Sequence, residues 1–181
     1  MQYDKKLDGK KAIEFCLSDI DQNQICLKDY KGKWIVLFFF DKTSLESPNS
    51  ELFYYSRSIN DFDKLNAHVI GVGPVSAQEI KKFCNENDIK ITILSDIDYK
   101  ILEIYEVINY DKKGDRKVLP ITFLTNKDGI VSKIWNREKF YYRLTGYADN
   151  LIELWDQSKM WAHIYKVIDA IELFEKREIL D

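Results

Sequence analysis

Residues 26–40 read CLKDYKGKWIVLFFF, a charged turn around Gly32 that runs directly into the apolar stretch Trp34 to Phe40. So continuous an apolar run suits a strand covered on both faces, as in a parallel α/β sheet, because a half-exposed strand would alternate. It is far too short to cross a bilayer. Upstream, Ala12 to Leu17 and Gln24 to Leu27 are apolar and β-branched segments separated by the polar turn Ser18 to Asn23, which predicts a hairpin.

Downstream, strands and helices alternate. After the polar loop Asp41 to Ser50, the stretch Glu51 to Asn66 carries Leu52, Phe53, Tyr55, Ile59, Phe62 and Leu65 at helical spacing. A strand is expected over His68 to Val72. A helix then runs from Ser76 to Asn87, where Ser76 and Glu79 form a capping-box pattern. Ile91 to Leu94 reads as a short strand, Asp98 to Val107 as a helix and Asn109 to Lys117 as a charged loop. Ile121 to Thr125 and Ile130 to Trp135 flank Asp128-Gly129, the signature of a tight hairpin. Ala148 to Lys176 is helical in pattern. The order predicts an α/β sheet with mixed strand directions, built as one domain over residues 1–181.

Composition narrows the function classes. With 45% hydrophobic and 31% charged residues the chain reads as globular. Its net charge of −3 comes from interspersed signs, so neither a nucleic-acid footprint nor a polybasic membrane patch is expected. Met1 to Lys11 is charged and lacks an apolar segment, which makes the cytoplasm the expected location. Three cysteines, Cys16, Cys26 and Cys84, are too scattered for a disulfide scaffold or a zinc ribbon, and His68 and His163 lie in separate segments. No cofactor or metal is expected.

Four stretches together resemble one family. CLKDYKGKWIVLFFF (26–40), VIGVGPVSAQEIKKFCNEN (69–87), ITILSD (91–96) and ITFLTNKDGIVSKIW (121–135) are similar, in the right order, to segments of the peroxiredoxins. The branch is that of the bacterioferritin-comigratory proteins, within the alkyl hydroperoxide reductase/thiol-specific antioxidant family, and the resemblance spans about residues 11–135. It implies a thioredoxin fold with an N-terminal β-hairpin; the helical region at about 148–178 extends beyond the family pattern.

The resemblance also implies a site. Family members carry Pro-x-x-x-Thr-x-x-Cys after the first long strand, with the cysteine at a helix N-terminus where its thiolate is favoured. A distant arginine helps to hold the peroxide. In this chain the motif proline falls on Asp41, the threonine on Leu45 and the cysteine on Pro48. The resolving cysteine of part of the branch falls on Phe53, and the arginine on Pro120. None is of catalytic type. Ser44, Ser47 and Ser50 cannot replace a thiolate without a base, and Arg57 and Arg116 are the arginines expected near the loop. The expected function is therefore a non-catalytic scaffold or binding protein.

Cys16 and Cys26 carry the alternative. With the turn centred near Asp21 they become cross-strand neighbours, and an atypical thiol redox protein would use them as its pair. In a reducing cytosol the plainer reading leaves both as free thiols. Cys84 reads as a packing residue, His68 as a strand-boundary residue and His163 as a helix residue without a metal role. Leu119-Pro120-Ile121-Thr122 resembles the cis-proline segment of thioredoxins, offset by one residue; a trans-proline opening a strand is the other reading.

After Gly146, the apolar residues Leu151, Leu154, Trp155, Trp161, Ile164, Tyr165, Ile168, Ile171 and Leu173 exceed what one docked helix needs. They predict a homodimer or a protein partner, with Trp135, Tyr141, Tyr142 and Tyr147 adding aromatic surface.

Overall fold

The structure is a computed structural model describing residues 6–47, 50–111, 113–137 and 149–178, with the side chains of 149–158 excepted. Pro48, Tyr141, Tyr142 and Tyr147, and the side chains of Leu151, Leu154 and Trp155, lie outside the described residues.

The strand read first, Trp34–Phe39 (β3), lies at the centre of a five-stranded sheet ordered β5-β4-β3-β8-β9. Ala67–Gly73 (β4) and Thr92–Ser95 (β5) run parallel to it on one side. Ile121–Thr125 (β8) and Val131–Asn136 (β9) form the antiparallel hairpin on the other side, as the Asp-Gly turn predicts.

Both faces of the sheet are covered, which is why β3 carries no polar alternation. Trp34, Val36, Phe38 and Phe40 point into one cluster. That cluster is closed by the helices Glu51–Arg57 (α1), Ile59–Lys64 (α2), Ala77–Asn87 (α3) and Asp149–Glu178 (α5). Ile35, Leu37 and Phe39 point into the other, closed by Phe15, Leu27 and the helix Lys100–Ile104 (α4) with Tyr105. The N-terminal hairpin, Cys16–Ser18 (β1) with Gln24–Cys26 (β2), forms a separate two-stranded sheet.

Two expectations are corrected and one open choice is decided. The single helix expected over Glu51 to Asn66 is two, because Ser58 leaves helical geometry with φ −95° and ψ 6° and its N–H is shared between the carbonyls of Tyr54 and Tyr55. The charged loop Asn109 to Lys117 contains a ribbon of Ile108–Tyr110 (β6) and Arg116–Val118 (β7). Asp111 folds it by accepting the N–H groups of Lys113 and Asp115 at 2.7 and 3.0 Å, and Gly114 supplies φ +87°. The Leu119–Pro120 peptide is trans, so Pro120 only opens a strand.

Candidate functional site

Where β3 ends, the chain turns through a 3-10 segment, Lys42–Leu45, towards α1. Asp41 holds that turn: its carboxylate accepts the N–H of Thr43 at 3.4 Å and that of Val118 at 3.2 Å, so the loop is tied to β7. Lys42 reaches across to Glu79 at 2.8 Å. Glu79 also closes the capping box with Ser76, and these contacts hold its carboxyl down at about 2. Leu45 is half-buried against the first core cluster.

Between this loop and the β6–β7 ribbon lies a cleft of about 570 Å3. Asp41, Thr43, Ser44 and Glu51 form one wall, and Asp111, Arg116 and Pro120 belong to the other. Asp41 and Pro120 therefore both line the cleft, and Pro48 lies outside the described residues. Phe53 does not reach it. That ring turns away to pack edge-on against Phe83, with Arg57 above it at 5.9 Å. Arg116 lines the cleft but is engaged by Glu103 at 3.3 Å and stacks over Tyr99.

A buried ion pair at the cleft wall was not anticipated. Glu51, the first residue of α1, and Arg137, just past β9, are each 6% exposed and form a buried ion pair. The β8–β9 register explains how Arg137 arrives: Thr122 faces Trp135, Ile121 faces Asn136, and the Arg137 N–H donates to the Pro120 carbonyl at 3.1 Å. A cation thus comes to lie beside Pro120 from the neighbouring strand. Counting forward from the Asp128-Gly129 turn places Arg137 opposite Pro120, but only the fold reveals that Glu51 neutralises it. Glu51 Oε2 and Ser50 Oγ are buried without a hydrogen-bond partner among the described residues.

Behind the pair lies a second polar group. Tyr55 Oη lies 3.4 Å from Thr122 Oγ1 and 3.2 Å from His163 Nε2, and those last two atoms are 3.2 Å apart. Burial, and then the charges of Arg137 and Lys166, push the His163 imidazole well below its ordinary value. Burial also raises the Tyr55 phenol, so both rings are neutral at pH 7. Arg137 additionally donates to Met160 Sδ at 3.4 Å. Among the described residues no three His, Cys, Asp or Glu side chains gather closely enough to hold a metal ion.

The cysteines divide. Cys84 is buried on α3, and desolvation pushes its thiol up to about 11; it is protonated and shielded at neutral pH. Cys16 and Cys26 are joined in a disulfide. They face each other in the β1–β2 register with Cα atoms 4.0 Å apart. The Leu27 N–H donates to the Phe15 carbonyl one residue further along, which makes 16–26 a non-hydrogen-bonded pair, the kind whose side chains approach most closely. The reading as two free thiols is thereby corrected. Elsewhere His68 is half-buried, stacked on Tyr30 at 4.1 Å and 3.0 Å from Thr92 Oγ1.

Known proteins agree with this architecture. Residues 9–134 match the AhpC/TSA family. Peroxiredoxin Bcp of Bacillus subtilis (strain 168) is 31% identical over 134 residues, covering 72% of this chain and 85% of that protein. A putative peroxiredoxin bcp of Helicobacter pylori (strain J99) is 29% identical over 150 residues, covering 80% and 95%. Among solved structures, Xanthomonas campestris Peroxiredoxin Q superposes with a TM-score of 0.62 at 25% identity, covering 82% of this chain and 90% of that one. Peroxidoxin BcpB of Mycobacterium tuberculosis, at 18% identity, shares the fold with a TM-score of 0.72 over 92% and 96%. A thioredoxin-type sheet with the peroxiredoxin hairpin, together with these matches, makes the chain a member of the AhpC/TSA family of peroxiredoxins, in its Bcp/peroxiredoxin Q branch.

Proposed function

We propose that this protein keeps the peroxiredoxin scaffold without its thiol-peroxidase chemistry and uses the cleft above β3 for binding. The buried Glu51–Arg137 pair carries this reading. A peroxidatic thiolate needs a positive field at the start of its helix. Here a carboxylate occupies the first residue of α1 and consumes the nearest cation. The free oxygen of Glu51 is an acceptor for a ligand carrying a hydrogen-bond donor. Asp41, Leu45, Pro48 and Pro120 remain, on this reading, former catalytic positions without a catalytic role.

The test is peroxide consumption with a dithiol reductant, comparing the native protein with one carrying Cys16→Ser, Cys26→Ser and Cys84→Ser. Equal and negligible rates are expected. Turnover that disappears in the variant overturns the proposal.

A second reading is favoured by the Cys16–Cys26 disulfide: a thiol redox protein whose active pair lies in the N-terminal hairpin. In the cytoplasm, the location we propose, reductant would open the bond and substrate would close it. We further propose one domain over residues 1–181 and a homodimer or protein partner held through the C-terminal region. Ile164, Ile168 and Ile171 of α5 pack on the chain's own core, while Tyr165 and Leu173 stay exposed at 56% and 50%. A monomer across the micromolar range in sedimentation would remove the homodimer. No helix among the described residues is long and apolar enough to cross a membrane.

A further inference from the structure

We propose that the N-terminal hairpin is a thiol–disulfide exchange site with a fixed polarity, in which Cys16 Sγ takes the attack of an external thiolate and Cys26 Sγ leaves. This rests on the second reading above and names the reacting atoms.

Two features separate this disulfide from a structural staple. First, the hairpin does not need it. Asp19 Oδ1 accepts the N–H groups of Asp21 and Asn23, both at 2.8 Å, and Asp19 Oδ2 accepts the Asn23 side-chain amide at 3.1 Å. Asp21 is tied to Lys81 of α3 at 2.7 Å, and Leu17 and Ile25 pack into the second core cluster. The ladder, the turn and the packing keep positions 16 and 26 opposed when the bond opens, so the thiols stay ready to re-form it.

Second, the two cysteines differ in exposure. Cys16 lies on an exposed position of β1, whereas Cys26 is half-buried and caps the 3-10 turn Leu27–Tyr30. The Asp29 N–H is directed at the Cys26 side chain, and the Asp29 carboxylate accepts the Cys26 N–H at 3.0 Å. Exchange needs the attacking sulfur, the attacked sulfur and the leaving sulfur in line. An approach to Cys16 from solvent meets this requirement, because the leaving sulfur then lies on the inner side.

The chemistry balances with a dithiol as the reductant. Its thiolate attacks Cys16 Sγ and forms a mixed disulfide. The Cys16–Cys26 bond breaks, and its electron pair leaves on Cys26, which takes a proton from water. The second thiol of the reductant, as thiolate, then attacks its own partner sulfur in the mixed disulfide and releases Cys16, which is protonated in turn. Two electrons and two protons enter the protein, and the dithiol becomes a disulfide. The reverse sequence reduces a substrate disulfide to its dithiol and restores the Cys16–Cys26 bond.

Glutathione is the probe, because a monothiol stops at the mixed disulfide. The oxidised full-length protein is incubated with glutathione under native conditions and quenched with N-ethylmaleimide, and its peptides are mapped by mass. Glutathione is expected on Cys16 and maleimide on Cys26, with Cys16 adducts in about tenfold excess, and the far-ultraviolet circular dichroism should not change. Glutathione chiefly on Cys26, or equally on both, overturns the polarity and leaves the redox reading standing. A bond that reacts only after denaturant is added overturns the redox reading as well.

Discussion

Removing the guanidinium of Arg137 leaves Glu51 as a buried anion with no compensating charge. The Arg137→Ala variant is expected to lose about 3–5 kcal/mol of stability in urea unfolding. Replacing both partners with apolar residues (Glu51→Met with Arg137→Met) should cost much less, since neither charge then needs solvation. A second residue-level effect concerns pH. The folded state holds His163 well below 6.5, and His68 shifts in the same direction through burial. As the pH falls below about 6.5 the unfolded chain takes up protons that the folded chain declines, so stability is full above that value and declines with acid. Glu175 starts from 4.5 and is lowered further, so it titrates below the histidines, while Asp96, raised by burial, acts in the opposite sense. Melting temperature followed from about pH 6.5 to about pH 5 should fall, and His163→Asn should flatten the slope. Asp41 and Pro120, both singled out in the sequence, line the same cleft. Glu51, Tyr55 and Thr122 were missed because nothing local marks a helix or strand residue as a member of a buried polar group.

At the scale of elements, β3 and β4 fit through a ring-on-glycine contact. Phe38 faces Gly71 in the register, and the Phe40 ring lies over Gly73. A Cβ on Gly73 would come within 2.5 Å of that ring, which is fully buried and cannot swing aside. Gly73→Ala should cost about 1–3 kcal/mol in chemical denaturation. Combining it with Phe40→Leu should recover part of that loss, a coupling expected of contacting residues. The element pattern was legible wherever periodicity was strong: β3, the capped helix α3 and the Asp-Gly hairpin. It failed at the β6–β7 ribbon, whose strands are three residues each with only Ile108 and Val118 packed on the core, so pairing across the turn made by Asp111 and Gly114 decides them. The break at Ser58 also escaped, because apolar spacing continues unchanged from α1 into α2.

Over the whole molecule, α5 closes the first core cluster. Ile164, Val167 and Ile171 are fully buried, Phe174 stacks on Trp34 at 5.7 Å, and Glu175 accepts from the Trp34 indole while pairing with Lys127 at 2.6 Å. Burying those three aliphatic side chains alone contributes about 5–9 kcal/mol. That is comparable to the entire net stability of a typical domain, about 5–15 kcal/mol. A chain ending at residue 148 should therefore lose its cooperative unfolding transition and bind a hydrophobic dye. The helical extension beyond the family pattern is part of the fold itself, and His163 makes it part of the site's foundation.

What the sequence by itself determined was whatever depends on near neighbours. The apolar run of β3 requires cover on both faces, the turn after Ser18 sets Cys16 opposite Cys26, and the loop Asp41 to Ser50 contains no thiol. What only the tertiary structure decided was which distant groups converge. Glu51 from α1, Arg137 from beyond β9, Thr122 from β8 and His163 from α5 are separated by up to 112 positions of chain. Sheet register and helix docking bring them together, and burial then makes their charges and protons interdependent. The closure of the Cys16–Cys26 bond belongs here too, because the closeness of a non-hydrogen-bonded pair is a property of the folded ladder and not of the spacing in the chain.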